Sequence, residues 1–450
     1  MRYVQRRAGE CPMARTTKQD SVRELQRTLY RAAKADPGRR FHALYDKVFR
    51  RDVLERAWGQ VRANKGAAGI DQQTIADVEE YGVTRLLDEL AADLKDGSYR
   101  ALPARRVFIP KPGRPGEQRP LSIPAVRDRV VQGALKLVIE PVFEADFLAC
   151  SFGFRPKRAP HDALQVLIDE TWRGKRWIVE SDVADCFEAI PHSGLMAAVE
   201  ERISDRQLLK LLHAMLRAGV MQDGAVTRSN TGTPQGGVVS PVLCNVYLHR
   251  LDRCWAARGT GALVRFADDL VVMCNSGPEA ERALVALRAI LAELGLQTKD
   301  AKTRIVHMRE GGEPLDFLGF EHRWVRGNTT ASRHLRFLVR RPTRKNMQRA
   351  RDRMRELTLR KRLLPVGEVV ADLNRYLRGF GGYFRYGNSA LDFGRLDAYA
   401  IERLALFVAK RHKRQRRYGY WRISQSPDRM GLIRLSGTVV APRPNRARTG

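Results

Sequence analysis

Apolar and polar positions change period several times along this chain, and each change marks a different kind of element. Residues 14–100 carry apolar positions at helical spacing, broken by the glycine-rich loop Gly66–Gly69. Residues 101–124 alternate apolar and basic. They then reach a stretch with prolines at 110, 112, 115, 120 and 124, which predicts a strand, a basic loop and a second strand. Helical spacing returns over Arg127–Phe143, His161–Trp172, Ser193–Leu216 and Glu279–Leu294. Short apolar runs of strand type surround Asp182, Asp268 and Ile305. From about residue 335 the pattern becomes helical and basic, and Val366–Tyr386 and Leu396–Lys410 each carry an apolar stripe beside arginines. Strands interleaved with helices in one stretch, and helices alone in another, predict an α+β chain. At 450 residues it should form two or three domains, with no internal repeat and no long low-complexity linker.

The chemistry is concentrated where strands meet acids. Phe266-Ala267-Asp268-Asp269 sits between Leu263-Val264-Arg265 and Leu270-Val271-Val272-Met273. Adjacent acids inside a strand would force one onto the wrong face. A tight hairpin avoids this by placing both at the turn, where their oxygens suit a hard divalent cation. The bland alternative is a solvated Asp-Asp turn. A third acid, Asp182, ends the apolar strand of Trp177-Ile178-Val179-Glu180-Ser181-Asp182-Val183-Ala184-Asp185-Cys186-Phe187. Asp182 also suits a helix N-cap. Three carboxylates on two neighbouring strands could hold two metal ions about 4 Å apart, the arrangement for in-line phosphoryl transfer.

Charge points to the partner. Lysine and arginine outnumber acids 81 to 50, leaving +31, which implies a polyanion. The charge is clustered: Arg340–Arg362 holds eleven basic residues against Asp352 and Glu356, and six of the eight residues Lys410–Arg417 are basic, with Tyr418, Tyr420 and Trp421 following. Basic charge followed by aromatics suits a nucleic acid strand with accessible bases, and the segment lacks the apolar face of a membrane-surface helix. No apolar run reaches membrane-spanning length, and Arg2, Arg6 and Arg7 precede no signal core. Six cysteines without a Cys-x-x-Cys pair argue against zinc and for a reducing cytoplasm. The open reading frame has a second candidate start at Met13.

Arg265-Phe266-Ala267-Asp268-Asp269 resembles the tyrosine-alanine-aspartate-aspartate box of reverse transcriptases, with Phe266 in place of tyrosine. The order of blocks along the chain resembles the reverse transcriptase–maturases of group II introns. These are Ala63–Asp71, Ile109–Gly113, Arg119–Pro124 with Asp128–Gln132, Ser151–Pro156, the Asp182 strand, Gly232–Gly237 with Ser240-Pro241, the aspartate box, Lys302-Thr303 and Phe317–Phe320. Asn374–Phe380 and Gly382-Tyr383-Phe384 resemble that family's maturase pattern. The resemblance implies a right-hand polymerase, with fingers, a palm bearing an antiparallel sheet and the catalytic hairpin, then a helical thumb and maturase domain. Expected boundaries are a helical extension at 1–60, fingers and palm at 61–330, thumb and maturase at 331–425 and a short basic tail at 426–450. It implies that Asp182, Asp268 and Asp269 are catalytic and, with Val183, hold two Mg2+ ions, Mn2+ being a substitute. Lys111, Arg119, Phe187 and Gln235 would bind the nucleotide, Phe187 as the gate against a ribose hydroxyl. The alternatives are a solvated basic hairpin for Lys111 and Arg119 and a core aromatic for Phe187. Phe317, Leu318 and Gly319 would position the primer, or simply pack. Arg340, Arg341, Arg344, Lys345, Lys410, Arg411, Lys413 and Arg414 would grip RNA.

The implied activity is RNA-directed DNA synthesis with help to intron splicing and mobility. The implied partners are template and intron RNA, a DNA primer or target, and deoxynucleotides, in the bacterial cytoplasm, with no membrane. Oligomeric state stays open. A polymerase domesticated for phage defence or CRISPR spacer acquisition, or a non-catalytic splicing factor, remain alternatives. The three intact acids speak against the last. No His-Asn-His nuclease pattern follows residue 425, so second-strand cleavage is not expected.

Overall fold

Among the described residues, eleven strands are interspersed with helices: β1 (Ala104–Pro110), β2 (Gln118–Ile123), β3 (Trp177–Asp182), β4 (Val220–Gln222), β5 (Ala225–Thr227), β6 (Ala262–Phe266), β7 (Asp269–Cys274), β8 (Arg304–His307), β9 (Leu315–Phe317), β10 (Phe320–Arg326) and β11 (Arg336–Pro342). The structure, a computed structural model, describes residues 18–440 apart from 111–115, 117, 223–224, 229, 234, 328–329, 331, 360 and 427. The class is α+β, as the sequence pattern predicts. Two compact units are assembled from discontinuous stretches.

The first unit takes in Met1–Ile109, Gln118–Leu148 and Asp185–Arg250. Its hub is the helix Val126–Glu144, apolar on nearly every side and buried along most of its length. Gly133 lets it approach the helix Arg51–Asn64, because a Cβ there would stand 3.2 Å from the Ala57 Cβ. Its sheet runs β2-β1-β4-β5, with β1 parallel to β4. The single helix expected over Ser193–Leu216 is two, His192–Glu200 and Arg206–Arg217. Asp205 makes the break. Its carboxylate accepts the N–H groups of Gln207 and Leu208 as an N-cap, and those of Leu44 and Tyr45 at 2.8 Å.

The second unit takes in Pro110–Glu117, Ala149–Ala184 and Leu251–Gly450. Its main sheet, β6-β7-β3-β8, is antiparallel throughout. A second antiparallel sheet, β11-β10-β9, was not expected, because the frequent arginines of 336–342 hide the alternation of Leu338, Arg340 and Pro342 toward the interior. The helices Arg344–Leu357, Val366–Phe384, Ala390–Arg411 and Arg416–Ser424 follow. One continuous apolar core runs from Ile178, Val271 and Trp324 to Leu373, Phe393 and Leu435, so the basic helices share their interior with both sheets. No helix among the described residues is long and apolar enough to cross a membrane.

Candidate active site

The carboxylates gather at one end of the main sheet. β6 and β7 are joined by the two-residue turn Ala267-Asp268, and Ala267 takes φ +57°. Asp268 therefore lies in the turn, while Asp269 opens β7 opposite Phe266. On its other side β7 pairs with β3 in a register that sets Asp269 opposite Asp182. The Asp182 backbone is fixed: its carbonyl accepts from Lys299 N–H at 2.7 Å, and the next two N–H groups donate to the Asp268 and Gln297 carbonyls. Val183 thus sits between the two acidic segments, its side chain buried.

The electrostatics are those of crowded acids with too few cations. Asp182 is buried; its Oδ2 accepts from the Lys302 ammonium, and its Oδ1 is buried with no hydrogen-bond partner. An unpartnered carboxylate oxygen out of water is costly unless a cation takes it up. Asp269 keeps nearly half its side-chain surface open, 4.0 Å from Lys302 Nζ. Desolvation by the surrounding protein, then the charges of Asp268 and Asp182, push its carboxyl up to about 7. For Lys302, burial pulls the pKa down. The hydrogen bond and charge of Asp182, then Asp269 and Asp268, outweigh it and hold it above the ordinary lysine value. Among the described residues, no three metal-ligating side chains already close into a cage. The donor set nonetheless fits hard divalent ions: carboxylate oxygens, one of them orphaned.

A buried support holds the turn. Arg265, in β6, is fully buried and forks onto Asp252, also fully buried, at 2.8 and 2.6 Å. The same guanidinium donates to Ser151 Oγ at 2.7 Å and to the Ala267 carbonyl at 3.1 Å. Backbone bonds tie Phe152 N–H to the Arg265 carbonyl and Arg265 N–H to the Cys150 carbonyl. Gly153 completes the contact, since a Cβ there would lie 2.3 Å from Ala267 N. Nothing in the residue pattern marks Asp252 for this role. Ser151-Phe152-Gly153 and Arg265 lie in family-like blocks, and an arginine in the middle of an apolar strand is the one signal available.

The expected nucleotide residues that the structure describes belong to the first unit. Lys111 falls outside the described residues. In the first unit, Arg119 Nε donates to Gln235 Oε1 at 3.0 Å, and Ser122 N–H donates to the Gln235 carbonyl at 2.6 Å. Gly236 permits this pairing, as its Cβ would stand 2.3 Å from the Ser122 carbonyl. Phe187 is buried on the short helix Cys186–Ala189, and its carbonyl accepts from Thr233 N–H at 2.6 Å. A cleft of about 370 Å³ in this unit is lined by Arg106, Phe108, Glu188, Gly232, Thr233 and Gln235.

Phe317 is buried at the end of β9, and Leu318-Gly319 form the turn into β10. Of the expected RNA contacts, Arg344, Lys345, Lys410, Arg411, Lys413 and Arg414 are exposed. Arg341 pairs with Glu321 at 2.8 Å. Arg340 is a correction: strand alternation turns it inward, where it donates to the Tyr386 carbonyl and lies over the Phe320 ring, so it has no surface to offer RNA.

Residues 109–322 match the family described as reverse transcriptase (RNA-dependent DNA polymerase), and residues 347–425 match the group II intron maturase-specific domain. Protein YkfC of Escherichia coli (strain K12) is 34% identical over 345 residues, 68% of this chain and 88% of YkfC. The group II intron-encoded protein LtrA of Lactococcus lactis subsp. cremoris is 36% identical over 215 residues, 47% of this chain and 35% of LtrA. Nuclear intron maturase 4 of Arabidopsis thaliana is 27% identical over 216 residues, 47% of this chain and 25% of that protein. The chain therefore spans most of YkfC but about a third of LtrA. With a match to the reverse transcriptase family followed by a match to the maturase-specific domain, and a relative matched over 88% of its length, this chain belongs to the group II intron reverse transcriptase–maturase family.

Proposed function

We propose that this protein is an RNA-directed DNA polymerase that also binds its intron RNA to assist splicing and mobility. One observation carries the reading: Asp182 faces Asp269 across one register step, beside the Asp268 turn, with an oxygen of Asp182 buried and unpartnered. Asp182, Asp268 and Asp269, with Val183, would hold Mg2+, which when bound supplies positive charge to the attacking and leaving oxygens of the phosphoryl transfer. Lys302 offsets part of the acids' charge. In the right-hand scheme, the β6-β7-β3-β8 sheet would be the palm, the β1–β2 hairpin would belong to the fingers, and the helices from Arg344 onward would be thumb and maturase region.

The remaining roles follow from chemistry. Arg119 and Lys111 would offset triphosphate charge. The Phe187 ring would exclude a 2′-hydroxyl, with Gln235 beside the sugar. The Leu318-Gly319 turn would align the primer end. The exposed cations of the helices would grip structured RNA through its backbone and shape. Template and intron RNA, a DNA primer or target and deoxynucleotides are the partners this implies, in the cytoplasm. The test is Mg2+-dependent extension of a primer on an RNA template. Asp268→Ala should remove nearly all activity while RNA affinity stays within a few fold, because +31 of charge barely changes. An Asp268→Ala protein that extends primers at the wild-type rate overturns the proposal.

A further inference from the structure

The turn Leu318-Gly319 holds an unfavourable shape. Leu318 takes φ +48° and Gly319 φ +78°, two left-handed residues in succession. Glycine adopts that region freely; leucine does so at a cost and stays there only when its surroundings impose it. The imposing groups come from outside both strands. Tyr383 Oη donates to the Leu318 carbonyl at 2.8 Å, and Asn346 Nδ2 donates to the Gly319 carbonyl at 2.9 Å, where Thr343 N–H also donates at 3.1 Å. A Cβ on Gly319 would stand 2.7 Å from Asn346 Nδ2 and would have to displace that amide.

Tyr383 is itself clamped. Its ring packs against Phe320, Phe384 and His161, and its carbonyl is hydrogen-bonded to His161 Nε2 at 2.8 Å. Burial raises its hydroxyl to about 12, so it stays a donor. A little further on, Asn388 and Arg340 exchange two hydrogen bonds, of 2.6 and 3.0 Å, tying this segment to β11. The turn lies within the residues that match the polymerase family, and Tyr383 within those that match the maturase domain. Asn374, in the same helix, instead holds the Gly431 carbonyl and Ile433 N–H, so Tyr383 is the one that reaches the turn.

We infer that Tyr383 and Asn346 are positioning residues for primer extension, acting by holding the carbonyls of the Leu318-Gly319 turn. The inference rests on the primer-aligning role proposed for that turn. The helical region then contributes to DNA synthesis as well as to RNA binding, through a hydroxyl and an amide that touch no substrate.

The experiment measures kcat, the KM for deoxynucleotide, primer–template Kd and melting temperature for Tyr383→Phe, Asn346→Asp, their double variant and Gly319→Ala. Each single variant should lower kcat about fivefold, the worth of one hydrogen bond. Nucleotide KM and primer–template Kd should stay within twofold, and melting within a few degrees. The double variant should fall by clearly less than the product of the two, because both act through one turn. Gly319→Ala tests the turn itself: normal extension by that variant would overturn the primer-aligning reading and the inference with it. Impaired Gly319→Ala beside normal Tyr383→Phe and Asn346→Asp would overturn the inference alone. Losses that multiply and track melting temperature would reduce both residues to packing and also overturn it.

Discussion

Removing the acid partner of Arg265 should separate stability from positioning at the Ala267-Asp268 turn. Both members of the Arg265–Asp252 pair have no exposed side-chain surface. Asp252→Ala therefore strands a guanidinium charge in the interior, which costs about 3–5 kcal/mol. For a unit of 150–250 residues, roughly 2–4 °C per kcal/mol converts this to a fall in melting temperature of about 10 °C. The double change Arg265→Met with Asp252→Leu removes both charges and should recover most of that loss. It cannot restore the donor to the Ala267 carbonyl or to Ser151 Oγ. The turn carrying Asp268 then loses its side-chain anchor, and a shift of about 1 Å at reacting groups costs about a hundredfold in rate. The assay is primer extension beside thermal melting for all three proteins. A double variant that melts like the parent and also extends like it would refute the positioning argument. An Asp252→Ala protein with unchanged melting would refute the energetic one.

Two further outcomes follow from single side chains. Phe187→Ala should raise ribonucleotide use relative to deoxynucleotide in steady-state competition, and an unchanged ratio in a folded protein removes the gate role. His322 is fully buried with both ring nitrogens unpartnered; burial, then Arg340, hold its pKa down at about 3. The unfolded chain takes up this proton near pH 6.5 and the folded one only near 3, so stability is lost as pH falls through that window, by about 2 kcal/mol at pH 5. His322→Leu should abolish that part of the acid sensitivity, and parallel pH–melting curves for the two proteins would exclude it.

The hairpin was legible because its signal is local: two acids between apolar runs admit few backbones. The pairing of Asp269 with Asp182 was not, since register between strands 87 positions apart leaves no mark in either. Arginine misled at Arg340. It carries the residue type of a wet surface, and only a partner 46 positions away, the Tyr386 carbonyl, lets it sit inside. The long helix over 193–216 divided because Asp205 spends its carboxylate on four N–H groups, two of them from residues 44 and 45, a demand the helical spacing cannot reveal.

The strand order β6-β7-β3-β8 also sets a timetable for synthesis. β3 is central, yet both its neighbours are made after it, β7 starting at Asp269 and β8 ending at His307. At about 5–20 residues per second, the 87 residues between Asp182 and Asp269 take the ribosome roughly 4–17 s. Through that interval the nascent chain carries an apolar segment with two bare edges, the kind that pairs with other chains. Glu180 and Asp182 put negative charge on it. The acid proposed to hold metal in the finished protein would thus also shield its own strand while the partners are still being made.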